Sequence, residues 1–272
     1  MTADLGRSTA AVRVRRLVGR ADPTPDTSAL STLVLLHHAA GSAESFRPIL
    51  PYLPADWTIL APELPGRVAA GGHVGVASLM EAVHTLVPLL VEETVRPYAV
   101  FGHCLGAVLG YELSHALTRH GRPPVWLGVS GSPAPHAAAG NLRHVVRQWN
   151  PSGLLEFARA LDGIPDRTWQ NAALTERILR TFGADLRLMA DHRPPLVEPL
   201  PVAVSVFGGD ADPFVTTTQM GSWTSMGSPP ATVHLWSGGH FYLYEQPAEV
   251  CARIVDDATT AAIRRRARDD GT

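Results

Sequence analysis

The sequence predicts an α/β fold in which a mostly parallel sheet is flanked by layers of helices. Short apolar runs rich in β-branched residues alternate along the chain with longer helical stretches. Continuous apolar runs are typical of strands covered on both faces, and a βαβα order favours parallel pairing. Hydrophobic residues form 45% of the 272-residue chain and charged residues 18%, so the chain can build a large core.

Six apolar runs are predicted strands. In chain order they are LVLLHH (33–38), WTILAPEL (57–64), YAVFGH (98–103), VWLGVSG (125–131), PVAVSVFGG (201–209) and ATVHLW (231–236). The predicted helices between and after them are VASLMEAVHTLVPLLVEET (76–94), LGAVLGYELSHALTRHG (105–121) and AEVCARIVDDATTAAIRRR (248–266). The second helix should end at Gly121, because glycine accepts the left-handed backbone of a helix C-terminus.

One domain is expected over residues 29–265. Residues 1–28 are polar and proline-containing, which predicts a flexible N-terminal arm, with AVRVRRLV (11–18) as a candidate edge strand within it. Residues 266–272 form a charged tail. Residues 138–198 interrupt the alternation with amphipathic helical sequence, which we interpret as a lid over the strand ends. Packing helices without a role at the site are the alternative.

Composition and charge limit the class of protein. The net charge is only −2, so nucleic-acid and membrane binding are not expected. All 23 basic residues are arginine, which excludes a Schiff-base lysine mechanism. The chain start lacks the apolar core of a signal peptide, and its two cysteines, Cys104 and Cys251, lie far apart. We therefore expect a soluble cytoplasmic protein.

Residues 101–107, FGHCLGA, have the Gly-x-nucleophile-x-Gly spacing of a nucleophile elbow, which usually presents a serine. A predicted strand precedes Cys104 and a predicted helix follows it, which is the context that the motif requires. The flanking Gly102 and Gly106 permit the tight crossing from strand to helix. Cys104 is thus the candidate nucleophile. The alternative is a buried inert thiol, which is the role expected for Cys251.

A cysteine nucleophile needs a base and a group that orients this base. His240 follows the last predicted strand in HLWSGGHFYL and is the candidate base, whereas His234 lies inside that strand and is expected to pack. The pattern Gly-x-x-Asp-x-x-Val after PVAVSVFGG selects Asp212 as the orienting acid, with Asp210 as the alternative. The order of nucleophile, acid and histidine is that of α/β-hydrolases.

Acyl transfer also needs two backbone amides for the oxyanion of the tetrahedral intermediate. One is expected from Leu105, the residue after the nucleophile. The other is expected from the loop HHAAGSAESF, whose small residues allow close approach of the backbone to a substrate, and Ala39 is the candidate. An ordinary strand-to-helix turn is the alternative for this loop.

Further segments make the chain resemble the type II thioesterases that accompany polyketide synthases and nonribosomal peptide synthetases. The matching segments are HHAAGSAESFRP, LAPELPGR, FGHCLGAVLGYEL, VSGSPAPH, LDGIPDRTWQNAALTERILRTFGADLRL, FGGDADPFV and GGHFYL, in collinear order from about residue 30 to 250. The resemblance implies that Cys104, Asp212 and His240 occupy the triad positions. It also implies that Leu105 and Ala39 supply the oxyanion amides and that the helical insertion is a mobile lid over an acyl chamber.

The same resemblance implies the substrate and partner. Acyl groups would be held as thioesters on the phosphopantetheine of an acyl or peptidyl carrier protein and removed by hydrolysis, with no cofactor or metal of the enzyme's own. The chain departs from the family at Cys104, where serine is usual, and in the P-H-A-G-G loop, which is here HHAAG (37–41). It also has VAAGGHV (68–74) in place of an arginine-rich run, and Gly183 in place of a lid arginine, so the docking surface does not follow from the resemblance.

Sulfur at the nucleophile keeps several reactions open. A thiol ionises far more readily than an alcohol, and an acyl-cysteine stays activated towards amines and carbanions. The first hypothesis is thioester hydrolysis, and the second is acyl transfer or cyclisation on the same fold. The third is hydrolysis of a small ester or lactone, since dienelactone hydrolases share the G-x-C-x-G elbow but lack the lid and PGR segments. A non-catalytic binding module is disfavoured, because His240 and Asp212 are both retained.

Overall fold

A computed structural model describes residues 12–18, 30–65, 75–137, 142, 146, 150–195 and 197–270. Within these residues, seven strands form one sheet in the spatial order β1-β3-β2-β4-β5-β6-β7. The strands are β1 (Arg13–Val18), β2 (Thr32–Leu36), β3 (Thr58–Glu63), β4 (Tyr98–His103), β5 (Trp126–Ser130), β6 (Ala203–Gly209) and β7 (Thr232–Trp236). All six predicted strands are present.

The sheet is mostly parallel, as predicted. Strands β2 to β7 pair in parallel, and β1 pairs antiparallel with β3 at one edge. The strand order reverses at β2, because β3 lies on one side of it and β4 on the other. The loops that follow β2 and β4 therefore leave the sheet side by side. Open α/β sheets bind their ligands at such a point.

The helices cover the sheet. They are α1 (Leu79–Glu93), α2 (Leu105–Arg119), α3 (Pro151–Ala160), α4 (Asp166–Trp169), α5 (Ala172–Asp191), α6 (Thr217–Met220), α7 (Tyr242–Glu245) and α8 (Pro247–Asp269). Helix α2 packs against α1 and against β2, β4 and β5, while α8 packs against β5. Gly121 follows the end of α2 with a φ of 67°, as predicted for a helix C-terminus.

The described part of the predicted insertion is helical. Helices α3, α4 and α5 occupy it, and the side chains of Asn150 and Asn171 cap the first turns of α3 and α5. Helix α5 buries a stripe that contains Phe182, Leu186 and Met189, and it exposes its other face. An amphipathic helix of this kind lies on the body of a domain with one face towards the core.

The chain ends differ in part from the sequence prediction. Residues 13–18, within the predicted flexible arm, form β1, the edge strand for which AVRVRRLV was the candidate. The rest of the arm, residues 1–11 and 19–28, lies outside the described residues. Helix α8 continues to Asp269, so it includes most of the predicted tail. None of the described helices is long and apolar enough to cross a membrane.

Candidate active site

The Gly-x-Cys-x-Gly motif forms a sharp turn between β4 and α2. Strand β4 ends at His103 and α2 begins at Leu105, so Cys104 alone makes the turn. Its φ of 56° and ψ of −113° are sparsely populated by residues with a side chain. The Cys104 N–H donates to the Ser130 carbonyl at 2.7 Å, which holds this conformation against β5. The predicted nucleophile therefore has the backbone of an elbow.

Close packing of neighbouring backbones requires glycine at both glycine positions of the motif. A Cβ at Gly102 would lie 2.0 Å from the Gly106 carbonyl oxygen. A Cβ at Gly106 would lie 2.0 Å from the Leu36 carbonyl oxygen in β2. Only glycine allows these backbones to pass so closely. The contact places Cys104 beside the loop that follows β2.

The predicted base and acid face one another. Nδ1 of His240 donates to Oδ2 of Asp212 at 2.7 Å, and both side chains are almost completely buried. Oδ1 of Asp212 accepts from the N–H groups of Phe214 at 2.7 Å and Val215 at 3.2 Å. The carboxylate is thus fixed by three hydrogen bonds and orients the imidazole. Nε2 of His240 is left as the atom that can transfer a proton.

Asp210, the alternative acid, lies in a different environment. It is exposed, and its carboxylate accepts from the Gly238 N–H at 3.1 Å and from the Ser237 hydroxyl at 3.4 Å. Asp210 therefore stabilises the loop that leads to His240, and Asp212 is the carboxylate brought to the imidazole.

The sulfur of Cys104 acts electrostatically on His240. Burial lowers the pKa of His240, but the nearby Cys104 sulfur and the hydrogen-bonded Asp212 raise it by more, so the pKa is raised overall. Nε2 of His240 has no hydrogen-bond partner among the described residues. The Cys104 sulfur lies near enough to act on His240, and catalytic hydrogen bonds often tighten only when substrate binds. The arrangement suits transfer of a proton from the Cys104 thiol to Nε2 of His240.

Sequence reasoning gave no role to His103, which lies inside the elbow motif. Its Nδ1 lies 2.8 Å from the Ser130 hydroxyl, which is 2.6 Å from the Tyr242 hydroxyl. Burial lowers the pKa of His103 well below its usual value, and the charges of His240 and His38 add to this effect. His103 is therefore a neutral ring, 4.9 Å from the His240 ring between centroids. Its place beside the nucleophile in the motif was the available signal.

The space around the His240 ring is closely filled. Gly131 has a φ of 56°, and a Cβ there would lie 2.7 Å from the His103 ring and 3.1 Å from the His240 ring. The rings of Phe214 and Phe241 meet the His240 ring edge to face, at 5.6 Å and 5.2 Å between centroids. These contacts restrict the imidazole to the orientation that Asp212 selects.

The loop after β2 forms a tight turn beside the elbow. The Gly41 N–H donates to the His38 carbonyl at 2.9 Å, and Ala40 within the turn has a φ of 59°. Neither the Ala39 amide nor the Leu105 amide donates to another described residue. Leu105 is the first residue of α2, so the helix itself offers its amide no acceptor. Both amides therefore remain the predicted oxyanion donors.

A cavity of about 420 Å³ lies between this loop and the helical insertion, which we predicted to be a lid. Its lining includes Ala39 and Ala40 from the loop, Ile178 and Phe182 from α5, and Phe241 next to His240. The lining is mainly apolar, which suits an acyl chain. The described residues contain no group of three or more His, Cys, Asp or Glu side chains that could hold a metal ion.

The sequence from β2 into α8 matches a known protein family. A family model described as the thioesterase domain matches residues 31–258. The chain belongs to this family. The matched range of this thioesterase contains Cys104, Asp212 and His240 as well as the helical insertion. The α/β-hydrolase fold class predicted from the sequence is confirmed.

Individual proteins resemble this thioesterase over most of its length. It is 32% identical over 248 residues to Thioesterase PikA5 of Streptomyces venezuelae, covering 88% of this chain and 84% of PikA5. The solved type II thioesterase BorB from the borrelidin biosynthetic cluster has a TM-score of 0.76 and 27% identity, covering 90% of this chain and 97% of that chain. RedJ, the thioesterase of the prodiginine pathway in Streptomyces coelicolor, has a TM-score of 0.76 and 28% identity. The match covers 90% of this chain and 93% of the RedJ chain.

Proposed function

We propose that this thioesterase hydrolyses acyl groups held as thioesters on carrier proteins of polyketide or nonribosomal peptide biosynthesis. Cys104 is the nucleophile, His240 the base and Asp212 the acid that orients the base. The buried His240–Asp212 pair beside a cysteine with elbow backbone carries this proposal. Similarity to PikA5, to BorB of the borrelidin biosynthetic cluster and to RedJ of the prodiginine pathway supports the substrate class.

The first half-reaction transfers the acyl group to the enzyme. Nε2 of His240 takes the Cys104 proton, and the sulfur attacks the thioester carbonyl, so a carbon–sulfur bond forms. The carbonyl oxygen becomes an oxyanion, which the amides of Leu105 and Ala39 stabilise. The intermediate then collapses and breaks the bond to the phosphopantetheine sulfur, which takes the proton from His240.

The second half-reaction releases the acid. His240 takes a proton from water, and the resulting hydroxide attacks the acyl-Cys104 carbonyl. The same two amides hold the second oxyanion, and its collapse expels the Cys104 thiolate, which the imidazolium protonates. The protons move between sulfur, imidazole and water, so the proposed reaction uses no cofactor.

Acyl transfer or cyclisation is the second candidate function. Its supporting observation is Cys104 itself, because an acyl-thioester remains activated towards an amine or a carbanion, whereas an oxoester is less reactive. In that case an acceptor other than water would enter the cavity between the loop and the lid. The two functions share the first half-reaction and differ only in what receives the acyl group.

The proposal includes a carrier protein as partner and a cytoplasmic location. Carrier proteins are generally acidic, and α5 exposes the cationic side chains of Arg177, Arg180 and Arg187 on the lid. Cys104 and Cys251 are both free thiols, which is consistent with a reducing compartment.

Intact-mass measurement of the enzyme mixed with an acyl carrier thioester tests the proposal. We expect a transient acyl adduct on Cys104 that decays to the free acid. Cys104→Ala should form no adduct and lose at least about 10³-fold in turnover. Cys251→Ala removes the other thiol, which lies in α8 against the Ile49 carbonyl, and should retain activity.

Other outcomes of this measurement are informative. Conversion of the adduct into an amide or a ring, when a candidate amine is present, would favour the second candidate function. Turnover of a small ester or lactone, with none of the carrier thioester, would favour a small-molecule hydrolase. Unchanged carrier-thioester turnover by Cys104→Ala would contradict the covalent mechanism altogether.

A further inference from the structure

A carboxylate of the lid reaches the loop that carries the proposed oxyanion amide. Asp185 lies in α5 between the buried side chains of Phe182 and Leu186, and it is only 3% exposed. Its Oδ2 accepts from the Ala40 N–H at 2.7 Å, although the two residues are 145 positions apart in the sequence. A buried carboxylate is unfavourable without such hydrogen bonds, so this contact fixes α5 to the loop.

The peptide group between Ala39 and Ala40 is held on both sides. Its N–H donates to Asp185, and its carbonyl accepts from Nδ1 of His38 at 2.9 Å. The turn around it closes through the hydrogen bond from Gly41 to His38. The orientation of this single peptide group therefore depends on one group from the lid and one from the loop.

Alanine at position 40 makes this orientation depend more strongly on Asp185. Its φ of 59° lies in the left-handed region, which glycine adopts freely and alanine does not. A turn with a hydrogen bond from the fourth residue to the first and a positive φ at the third favours glycine there. Without the carboxylate, the turn can relax to a backbone that alanine prefers, and the adjacent Ala39 moves with it.

We propose that Asp185 is a positioning residue for the oxyanion hole, acting through the Ala39–Ala40 peptide group. This inference rests on the proposed function. Oxyanion donors stabilise the transition state only at hydrogen-bond distance, so a displacement of Ala39 weakens catalysis without removing any catalytic group. Because Asp185 belongs to α5, the hole is complete only when the lid helix is seated on the loop. The same helix lines the acyl cavity with Ile178 and Phe182, so substrate enclosure and oxyanion binding are coupled.

Two reactions of Cys104 separate this role from a general structural one. Acylation by a carrier thioester passes through an oxyanion, whereas alkylation by iodoacetamide displaces iodide at a saturated carbon and forms none. We expect Asp185→Ala to lower single-turnover acylation and kcat by about 10- to 100-fold, with KM changed by less than about twofold. The rate of Cys104 alkylation, followed by peptide mapping, should stay at the wild-type level.

Further variants serve as controls and rescue. Asp185→Asn retains an oxygen acceptor of weaker strength, so its acylation rate should lie between those of Asp185→Ala and the wild type. Asp191→Ala removes an exposed carboxylate from the same helix and should leave both rates unchanged. Ala40→Gly added to Asp185→Ala should restore part of the acylation rate, because glycine accepts the left-handed backbone unaided.

The results that overturn the proposal are distinct. Wild-type acylation by Asp185→Ala, or an equal fall in acylation and alkylation, would show that Asp185 does not act on the oxyanion hole. No recovery on adding Ala40→Gly would contradict a route through the Ala40 backbone. Failure of the proposed function itself would appear separately, as unchanged turnover by Cys104→Ala.

Discussion

The sheet edge and the lid differ in what determines their shape. At the sheet edge, β2 and β4 are buried along their whole length, and Gly102 and Gly106 are fitted between neighbouring backbones. In the lid, α3 and α5 meet through side chains, as where Phe157 stacks on Phe182 at 6.0 Å between ring centroids. Contacts between backbones permit few substitutions, whereas contacts between side chains permit many. The proposed chemistry therefore lies where contacts between backbones restrict substitution, and α3 and α5 meet where side chains can be exchanged.

Buried polar contacts join these two regions. Asp185 of α5 binds the Ala40 amide in the loop after β2. At the end of the same helix, Nε2 of His192 lies 2.8 Å from Oε1 of Glu112 in α2, and both side chains are nearly fully buried. Buried polar groups are costly to leave unpaired, so these contacts restrict where α5 sits on the domain. The apolar face of the lid can change while this attachment is kept.

The largest loss of activity should come from the acid at the sheet edge. Asp212→Asn keeps the shape of the side chain but removes the charge that orients His240, and should lower kcat by about 10³- to 10⁴-fold. Asp210→Asn changes an exposed loop residue two positions away and should cost less than about threefold. Steady-state hydrolysis of a carrier thioester measures both. The opposite ranking would show that the acid is misassigned.

The same substitution in the two regions should have opposite consequences for stability. Gly106→Ala places a methyl group 2.0 Å from the Leu36 carbonyl oxygen and should cost more than about 3 kcal/mol or prevent folding. Gly183→Ala in α5 meets only side-chain ends, those of Leu154 at 3.1 Å and Arg187 at 3.8 Å. Alanine favours a helix, so this change should be neutral or stabilising by up to about 1 kcal/mol. Urea unfolding of both variants tests the contrast, and equal losses would refute it.

A smaller effect should appear in the pH dependence of stability. The pKa of His103 is lowered by burial in the folded protein. In the unfolded chain His103 is protonated near pH 6.5, whereas in the folded protein it stays neutral at that pH. Protonation of His103 in the unfolded chain therefore does not lower the free energy of unfolding above pH 6.5. Below this pH, it lowers that free energy progressively. The free energy of unfolding should therefore decrease between pH 6.5 and pH 5.

The variant His103→Phe has no proton to take up at this position. Its free energy of unfolding, measured over the same pH range, should decrease less steeply than that of the wild type. Parallel curves for the two proteins would mean that His103 titrates normally in the folded state.

Much of the sheet edge was predictable because its requirements are local. The apolar runs predicted β2 to β7, and the spacing of Gly102, Cys104 and Gly106 between strand and helix predicted the turn. The Gly-x-x-Asp-x-x-Val pattern favoured Asp212 over Asp210, but the pattern alone does not show which carboxylate turns inward. The hydrogen bonds from Phe214 and Val215 to Asp212 supply that information.

The contacts between lid and sheet were not predictable in the same way. Asp185 and Ala40 are far apart in the chain, and no periodicity or motif spacing relates them. The hydrogen bond between His103 and Ser130 likewise depends on the pairing of β4 with β5, which brings these two residues into register. Such contacts follow from the three-dimensional path of the chain and become visible only when that path is known.

Strand β1 has a consequence for how the protein behaves in solution. It pairs antiparallel with β3, whose six residues are all buried, and Arg15 bridges Glu44 at 2.8 Å and Glu63 at 3.4 Å. A form of the protein shortened by its first 28 residues would expose the unpaired backbone of β3. An exposed edge strand can pair with the edge strand of another molecule, so the shortened protein should aggregate. Strand β1 therefore protects the folded chain from aggregation through β3.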